Sequence, residues 1–96
     1  MKYSNVVRFI PKEGELNTVL SILSKTDHLD GLLQNFIIQT GEKTCCAVGI
    51  WASEQHLINS REQMIEILDS IRDKLELISE DLGVTDPVSG PIIHET

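Results

Sequence analysis

The first segment of the chain alternates its side chains between two faces. Residues 3–10 read YSNVVRFI, a run rich in β-branched and aromatic residues, which predicts a strand that Pro11 closes. The segment that follows predicts a helix over about 13–25, because apolar residues recur there at helical spacing. Those residues are Leu16, Val19, Leu20 and Leu23.

Two further strands follow after a predicted loop over 27–31. Residues 32–40 read LLQNFIIQT and residues 44–51 read TCCAVGIW, and both are rich in residues that favour strands. Only Gly41, Glu42 and Lys43 separate the two segments. So short a connection predicts an antiparallel hairpin.

A long apolar stripe of helical period occupies the next thirty positions. It begins after Ser53, a residue that favours the N-cap, and extends to Leu82 before Gly83, which favours a C-cap. Ser60 and Gln63 have the spacing of a capping box, so a break is expected near residues 59–60. The residues of the stripe recur every seven positions, at Leu57, Met64, Ile71 and Ile78.

The C-terminal segment contains two prolines that exclude a helix. Pro87 and Pro91 leave room for a short edge strand at about 90–94. The predicted order is therefore β-α-β-β-α-β in one domain over 1–96, an α+β, ferredoxin-like split βαβ fold with helices on one face of an antiparallel sheet. The other face also carries apolar residues, which predicts a homodimer that packs sheet against sheet.

The charge of the chain narrows the classes of partner. Among 96 residues there are 8 basic and 15 acidic ones, a formal charge of −7, which argues against nucleic acid and against anionic membrane surfaces. No apolar run has the length of a membrane span, and the first fifteen residues do not have the pattern of a signal peptide. A cytoplasmic protein is expected.

The residues that commonly bind metals do not have the spacing of a metal site. Cys45 and Cys46 are adjacent on a predicted strand, so they face opposite sides and suit small buried positions better than a shared ligand. His28 and His94 belong to no known ligand motif. We therefore expect neither a metal nor another cofactor.

Three residues can carry chemistry, each with a structural alternative. Asn5 has an amide that could polarise a ligand carbonyl, or it is an edge residue. Trp51 could be a pocket wall for a flat ligand or an apolar anchor. His56, near a predicted helix N-terminus that favours neutral imidazole, could serve as a base or as a cap.

The segments PKEGE, IWASEQH and LGVTDPVSGP resemble the antibiotic biosynthesis monooxygenase-like family of dimeric α/β-barrel proteins. The resemblance implies a ferredoxin-like protomer, a barrel made by two protomers, and a pocket between the sheet and the helices. It also implies activities that include cofactor-independent oxygenation and haem degradation. In those members an Asn, a Trp and a His form the site, and Asn5, Trp51 and His56 occur here in that order.

The resulting hypothesis is a cofactor-independent monooxygenase, or a related catalyst, that acts on a small flat apolar molecule. Asn5 and His56 would handle the polar atoms, and Trp51 with Phe36 would line the pocket. One alternative is a non-catalytic dimer that binds a small ligand or a protein. The other is haem binding with degradation, although the interval from Trp51 to His56 is shorter than that pattern implies.

Overall fold

The computed structural model describes residues 1–26 and 28–96, so Asp27 of the predicted loop lies outside the described residues. The regular elements follow the predicted order. They are β1 (Tyr3–Phe9), α1 (Leu16–Leu23), β2 (Leu32–Gln39), β3 (Cys45–Trp51), α2 (Glu54–Asp69) and β4 (Thr85–Pro91). Short 3-10 turns follow each helix, at Ser24–Thr26 and Arg72–Lys74.

The strands form one four-stranded sheet in the order β2-β3-β1-β4. Every neighbouring pair is antiparallel, as the split βαβ arrangement requires. The predicted ferredoxin-like fold is thus confirmed. The central row of the sheet places Asn5 opposite Gly49 on one side and Ser89 on the other, which fixes the faces of all three strands.

The core lies between the sheet and the helices in two clusters. The larger cluster joins the far end of β1 to α1 and to the segment after α2, through Phe9, Val19, Leu23, Cys45, Ile71 and Leu75. The smaller cluster lies at the other end of the sheet, where Leu29, Trp51 and Leu57 meet. Buried apolar surface at both ends holds the helices on one face.

The second helix differs from its prediction in two ways. It runs unbroken through residues 59–60, where Ser60 is a buried helical residue and not a cap. It then ends at Asp69, well short of Leu82. Within the described chain, no helix has the length and apolar character needed to cross a membrane.

The helix ends early because the chain after it pairs with the end of β1. Lys12 N donates to Lys74 O at 2.8 Å, and Glu76 N donates to Ile10 O at 2.7 Å. This pairing draws Leu75 into the core. Gly83 closes a separate turn, with φ of 73°, and does not cap a helix.

The last strand begins earlier than predicted, at Thr85, and includes both prolines. Pro87 pairs with Val7 and Pro91 with Tyr3. A proline lacks the backbone N–H that a ladder bond needs, but β4 is an edge strand with one unpaired side. The sheet therefore accommodates both residues.

The face of the sheet opposite the helices carries exposed apolar residues and is uncovered in the single chain, and we name it the open face. Phe36, Ile38 and Val88 are 44%, 45% and 62% exposed there. By the strand register the same face carries Val6 and Val48, among others. Its apolar character agrees with the predicted need for a partner.

Candidate functional site

A cavity of about 70 Å³ lies between the helix-covered face of the sheet and α2. It is partly open to solvent, and it lies between the two core clusters, since residues of both line it. Its walls are mainly aliphatic. The helical stripe supplies one wall, through Met64, Ile67, Leu68 and Ile71.

Few polar groups reach this cavity. Asn5, Asn35, Trp51 and Thr85 contribute the polar atoms. Among the described residues that line it, none has an acidic, basic, histidine, tyrosine or cysteine side chain. The cavity can therefore offer hydrogen bonds to a ligand, but these residues supply neither a general base nor a counter-ion.

The most specific contact in the cavity wall joins Asn5 to Trp51. Nε1 of Trp51 donates a hydrogen bond of 2.7 Å to Oδ1 of Asn5. The strand register places Asn5 opposite Gly49, two positions before Trp51, so both side chains leave the same face. Trp51 is 1% exposed. Since a buried indole N–H needs an acceptor, Asn5 satisfies it.

Gly49 leaves the space in which this contact forms. A Cβ at that position would lie 2.5 Å from Asn5 Oδ1 and 3.2 Å from Trp51 Nε1. The first distance is well inside van der Waals contact, so any larger residue would displace the amide. The sequence signal was a glycine inside a strand, which often marks a close approach.

The structure places His56 away from the cavity. Its Nδ1 lies 2.7 Å from Ser53 Oγ, and its backbone N–H donates to the same oxygen at 3.3 Å. The ring lies against Gly31, where an added Cβ would collide with it. Because Ser53 caps α2 and holds the imidazole, the structure does not bring His56 to the polar atoms of Asn5.

Phe36, which was predicted to line the pocket, lies on the opposite face of the sheet from the cavity. Phe36 pairs with Val48 on the open face, whereas its neighbours Asn35 and Ile37 line the cavity. Side chains alternate along a strand, and a bulge between Leu32 and Gln34 resets that alternation. Asn35 and Thr85 are polar cavity residues that the sequence pattern did not identify.

Trp51 and Asn5 do line the cavity, together with the smaller core cluster. The two alternatives for Trp51, an apolar anchor or a pocket wall, both apply, because the side chain is buried in the smaller core cluster and also lines the cavity. Its burial limits stacking, since an almost fully buried ring has little free face for a flat ligand. What Asn5 and Trp51 do for a ligand stays a prediction.

The two thiols face opposite sides of the sheet. Cys45 is buried in the larger cluster, and burial, with a smaller contribution from the charge of Cys46, raises its pKa above the ordinary value. Cys46 pairs with Arg8 and Ile38 and so belongs to the open face. In the described part of the chain, no three histidine, cysteine or acidic residues come together as a metal site.

No family model matches the chain, and no curated protein does. Solved structures do match in fold. One is a point variant of SnoaB, a cofactor-independent oxygenase from Streptomyces nogalater, with a TM-score of 0.76, 9% identity, and coverage of 98% of this chain and 95% of that one.

Two more matches show the range of proteins that share the fold. A monooxygenase from ActVA-Orf6 of Streptomyces coelicolor, in complex with nanaomycin D, has a TM-score of 0.74, 12% identity, and coverage of 98% of this chain and 89% of its own. A protein of unknown function from Nitrosomonas europaea has a TM-score of 0.72, 16% identity, and coverage of 99% and 92%. The resemblance to antibiotic biosynthesis monooxygenases is thus confirmed for the fold.

Proposed function

We propose that this chain is a cofactor-independent monooxygenase that takes the reactive end of a small flat apolar molecule into the cavity. The observation that carries the proposal is the hydrogen bond between Trp51 and Asn5 in a cavity wall that is mainly aliphatic. Such a site is mainly apolar and directs the amide of Asn5 at the ligand. The SnoaB and ActVA-Orf6 neighbours, described as oxygenases, support the class of reaction.

The proposed substrate is an electron-rich phenol that supplies its own electrons. A phenol and O₂ give a quinone and water: one oxygen atom enters the ring, and the other leaves with the two hydrogens that the substrate loses. Asn5 would stabilise the phenolate oxygen by donating a hydrogen bond. The described residues that line the cavity include no titratable side chain, and in the proposal the phenol loses its first proton to solvent.

The size of the cavity limits what it can enclose. An engineered cavity of about 150 Å³ holds one benzene, whereas this one has about 70 Å³. In the proposal, therefore, the ligand inserts one end and leaves the rest in the opening, or Met64 and its neighbours shift to admit more of it. Flexible methionine side chains allow such shifts at low cost.

The haem alternative has less support than oxygenation of a phenol. No histidine is among the described residues that line the cavity, and His56 Nδ1 already contacts Ser53. A porphyrin is also several times larger than the cavity. The non-catalytic binding alternative requires only the cavity itself, so activity must decide between binding and catalysis.

We also propose that the functional unit is a homodimer joined through the open face. Phe36, Ile38 and Val88 expose apolar surface there that a second copy would bury. Pro87 and Pro91 remove two N–H donors from the edge strand β4, which disfavours growth of the sheet along that edge. Face-to-face packing of two sheets would cover the apolar residues of the open face.

An oxygen-uptake assay with single-ring phenols tests the proposed reaction. The wild-type protein should consume one O₂ for each phenol converted to quinone. Asn5→Leu should lower the rate by about 100-fold, the usual effect of removing one donor to a developing oxyanion. Asn59→Leu is the matched control and should keep the rate, since Asn59 is an exposed residue of α2.

Either of two results would contradict the proposal. An unchanged rate in Asn5→Leu would remove Asn5 from the reaction. Binding of phenols without oxygen uptake would favour the alternative that the protein binds a small ligand without catalysis. Binding can be followed through the fluorescence of Trp51, the single tryptophan of the chain, which lies in the cavity wall.

A further inference from the structure

We infer that Trp51 and Gly49 are positioning residues that fix the amide of Asn5, so that the site selects ligands with a hydrogen-bond acceptor and disfavours those with only a donor. The inference rests on the proposed function, because it specifies the ligand class of the same cavity. It concerns the polar atom of the ligand and is independent of whether oxygenation follows.

The orientation of the amide follows from the chemistry of the indole. A tryptophan N–H can donate a hydrogen bond and cannot accept one. The atom of Asn5 that lies 2.7 Å from Nε1 must therefore be the carbonyl oxygen. Rotating the amide by half a turn would place two donors face to face inside an apolar wall, which is unfavourable.

The NH₂ group of Asn5 is consequently the part that remains for a ligand. Among the described residues, no hydrogen bond from Nδ2 of Asn5 is formed. The described residues also include no buried side-chain nitrogen or oxygen that lacks a partner, so Nδ2 is not sealed inside the protein. Since Asn5 lines the partly open cavity, its donor is accessible from there.

The bond from Trp51 also strengthens that donor. Hydrogen bonds in a chain polarise one another, so an amide whose oxygen accepts a bond donates more strongly through its nitrogen. A phenolate or carbonyl oxygen gains from this arrangement. A ligand N–H in the same place would meet another donor and would leave both groups unpaired.

Gly49 makes the arrangement possible, and it provides a sharper test than removal of the tryptophan. Gly49→Ala would place a methyl group 2.5 Å from Oδ1 of Asn5 and so force the amide away from Trp51. Gly90→Ala is the matched control, because Gly90 is also a strand glycine and a Cβ there meets no atom within 4 Å.

The experiment compares two flat bicyclic probes of nearly equal size by calorimetry. 1-Indanone offers only a carbonyl acceptor, and indole offers only an N–H donor. The wild-type protein and Gly90→Ala should bind 1-indanone about tenfold more tightly, as one hydrogen bond would give. Gly49→Ala and Trp51→Phe should reduce that preference to about twofold or less. The two variants disrupt the hydrogen bond between Trp51 and Asn5 in different ways. If one of them fails to fold, the other still provides the test.

An infrared measurement separates positioning from a general loss of structure. The C=O stretch of bound 1-indanone should shift to lower frequency in the wild-type protein and should lose that shift in Gly49→Ala, while circular dichroism stays unchanged. Equal affinity for both probes, or a preference that survives in Asn5→Leu, would overturn the inference and leave the proposed cavity intact. Failure of both probes to bind would overturn the proposed site and the inference with it.

Discussion

At the scale of single residues, two adjacent cysteines occupy opposite chemical environments. Cys45 faces the core, and burial raises the pKa of its thiol, whereas Cys46 lies on the open face. A raised pKa lowers the thiolate fraction at any given pH, and thiolate is the reactive form. When the protein is diluted below the dissociation constant of the proposed homodimer, so that the open face is uncovered, we expect a Cys45→Ser variant, which keeps Cys46, to react with a thiol reagent at pH 8 at least about tenfold faster than Cys46→Ser.

The measurement is the rate of thiol modification in the folded protein, with urea-unfolded samples as controls. In urea the two variants should react at similar rates, because unfolding exposes both thiols. Equal rates in the folded protein would show that burial does not protect Cys45. A faster Cys45 would contradict its placement in the core.

The residues of the cavity show how far the sequence could predict the site. Asn5 and Trp51 were identified by their residue types and by the family resemblance, and the strand register places both on the helix-covered face. Phe36 was predicted to line the pocket and Asn35 was not considered, whereas one extra residue in the bulge at Leu33 changes the alternation and exchanges their faces. The position of His56 could not be predicted without its contact to Ser53, the N-cap of α2, and that contact competes with any role in the cavity.

At the scale of elements, Gly31 joins the start of β2 to the start of α2. It has φ of 81°, its carbonyl oxygen accepts from Ala52 N at 2.8 Å, and the ring of His56 fills the space where a Cβ would lie. Gly31→Ala should therefore cost both backbone strain and a steric clash. We expect a loss of unfolding free energy of about 3–4 kcal/mol, measured by urea denaturation.

Gly14 provides a matched control for this substitution. Its φ of 80° is almost the same, but a Cβ there meets no atom within 4 Å. Gly14→Ala should lose only the strain contribution, about 1–2 kcal/mol. If the two variants were equally stable, the contact between Gly31 and His56 would not hold α2 in place.

The length of α2 illustrates what a local pattern cannot show. The heptad spacing predicted the inward positions of Leu57 and Met64 in α2 correctly, and Ile71, two residues past the end of the helix, also lies in the core and the cavity wall. The spacing continues to Ile78 although the helix ends at Asp69. What ends it is the pairing of residues 74–76 with residues 10–12, a contact between distant parts of the chain that periodicity does not encode.

In the whole molecule, the two faces of the sheet have different surroundings. The helix-covered face forms the core and the cavity, and the open face keeps exposed apolar side chains at its surface. The salt bridge from Arg8 to Asp86, at 3.0 Å, adds charge to the open face. In a homodimer this pair would lie among apolar residues, where a poorly matched charge is costly, so it would restrict how two copies can align.

Two isoleucines of equal exposure allow a test of the proposed homodimer. Ile38 on the open face and Ile65 on α2 are both 45% exposed. Ile38→Lys should weaken dimer formation by at least about 100-fold, because packing the sheets together would bury an unpaired ammonium group. Ile65→Lys changes the total charge equally and should leave the dimer intact. Sedimentation equilibrium gives the dissociation constants, and a wild-type monomer at micromolar concentration, or equal effects of the two substitutions, would reject association through the open face.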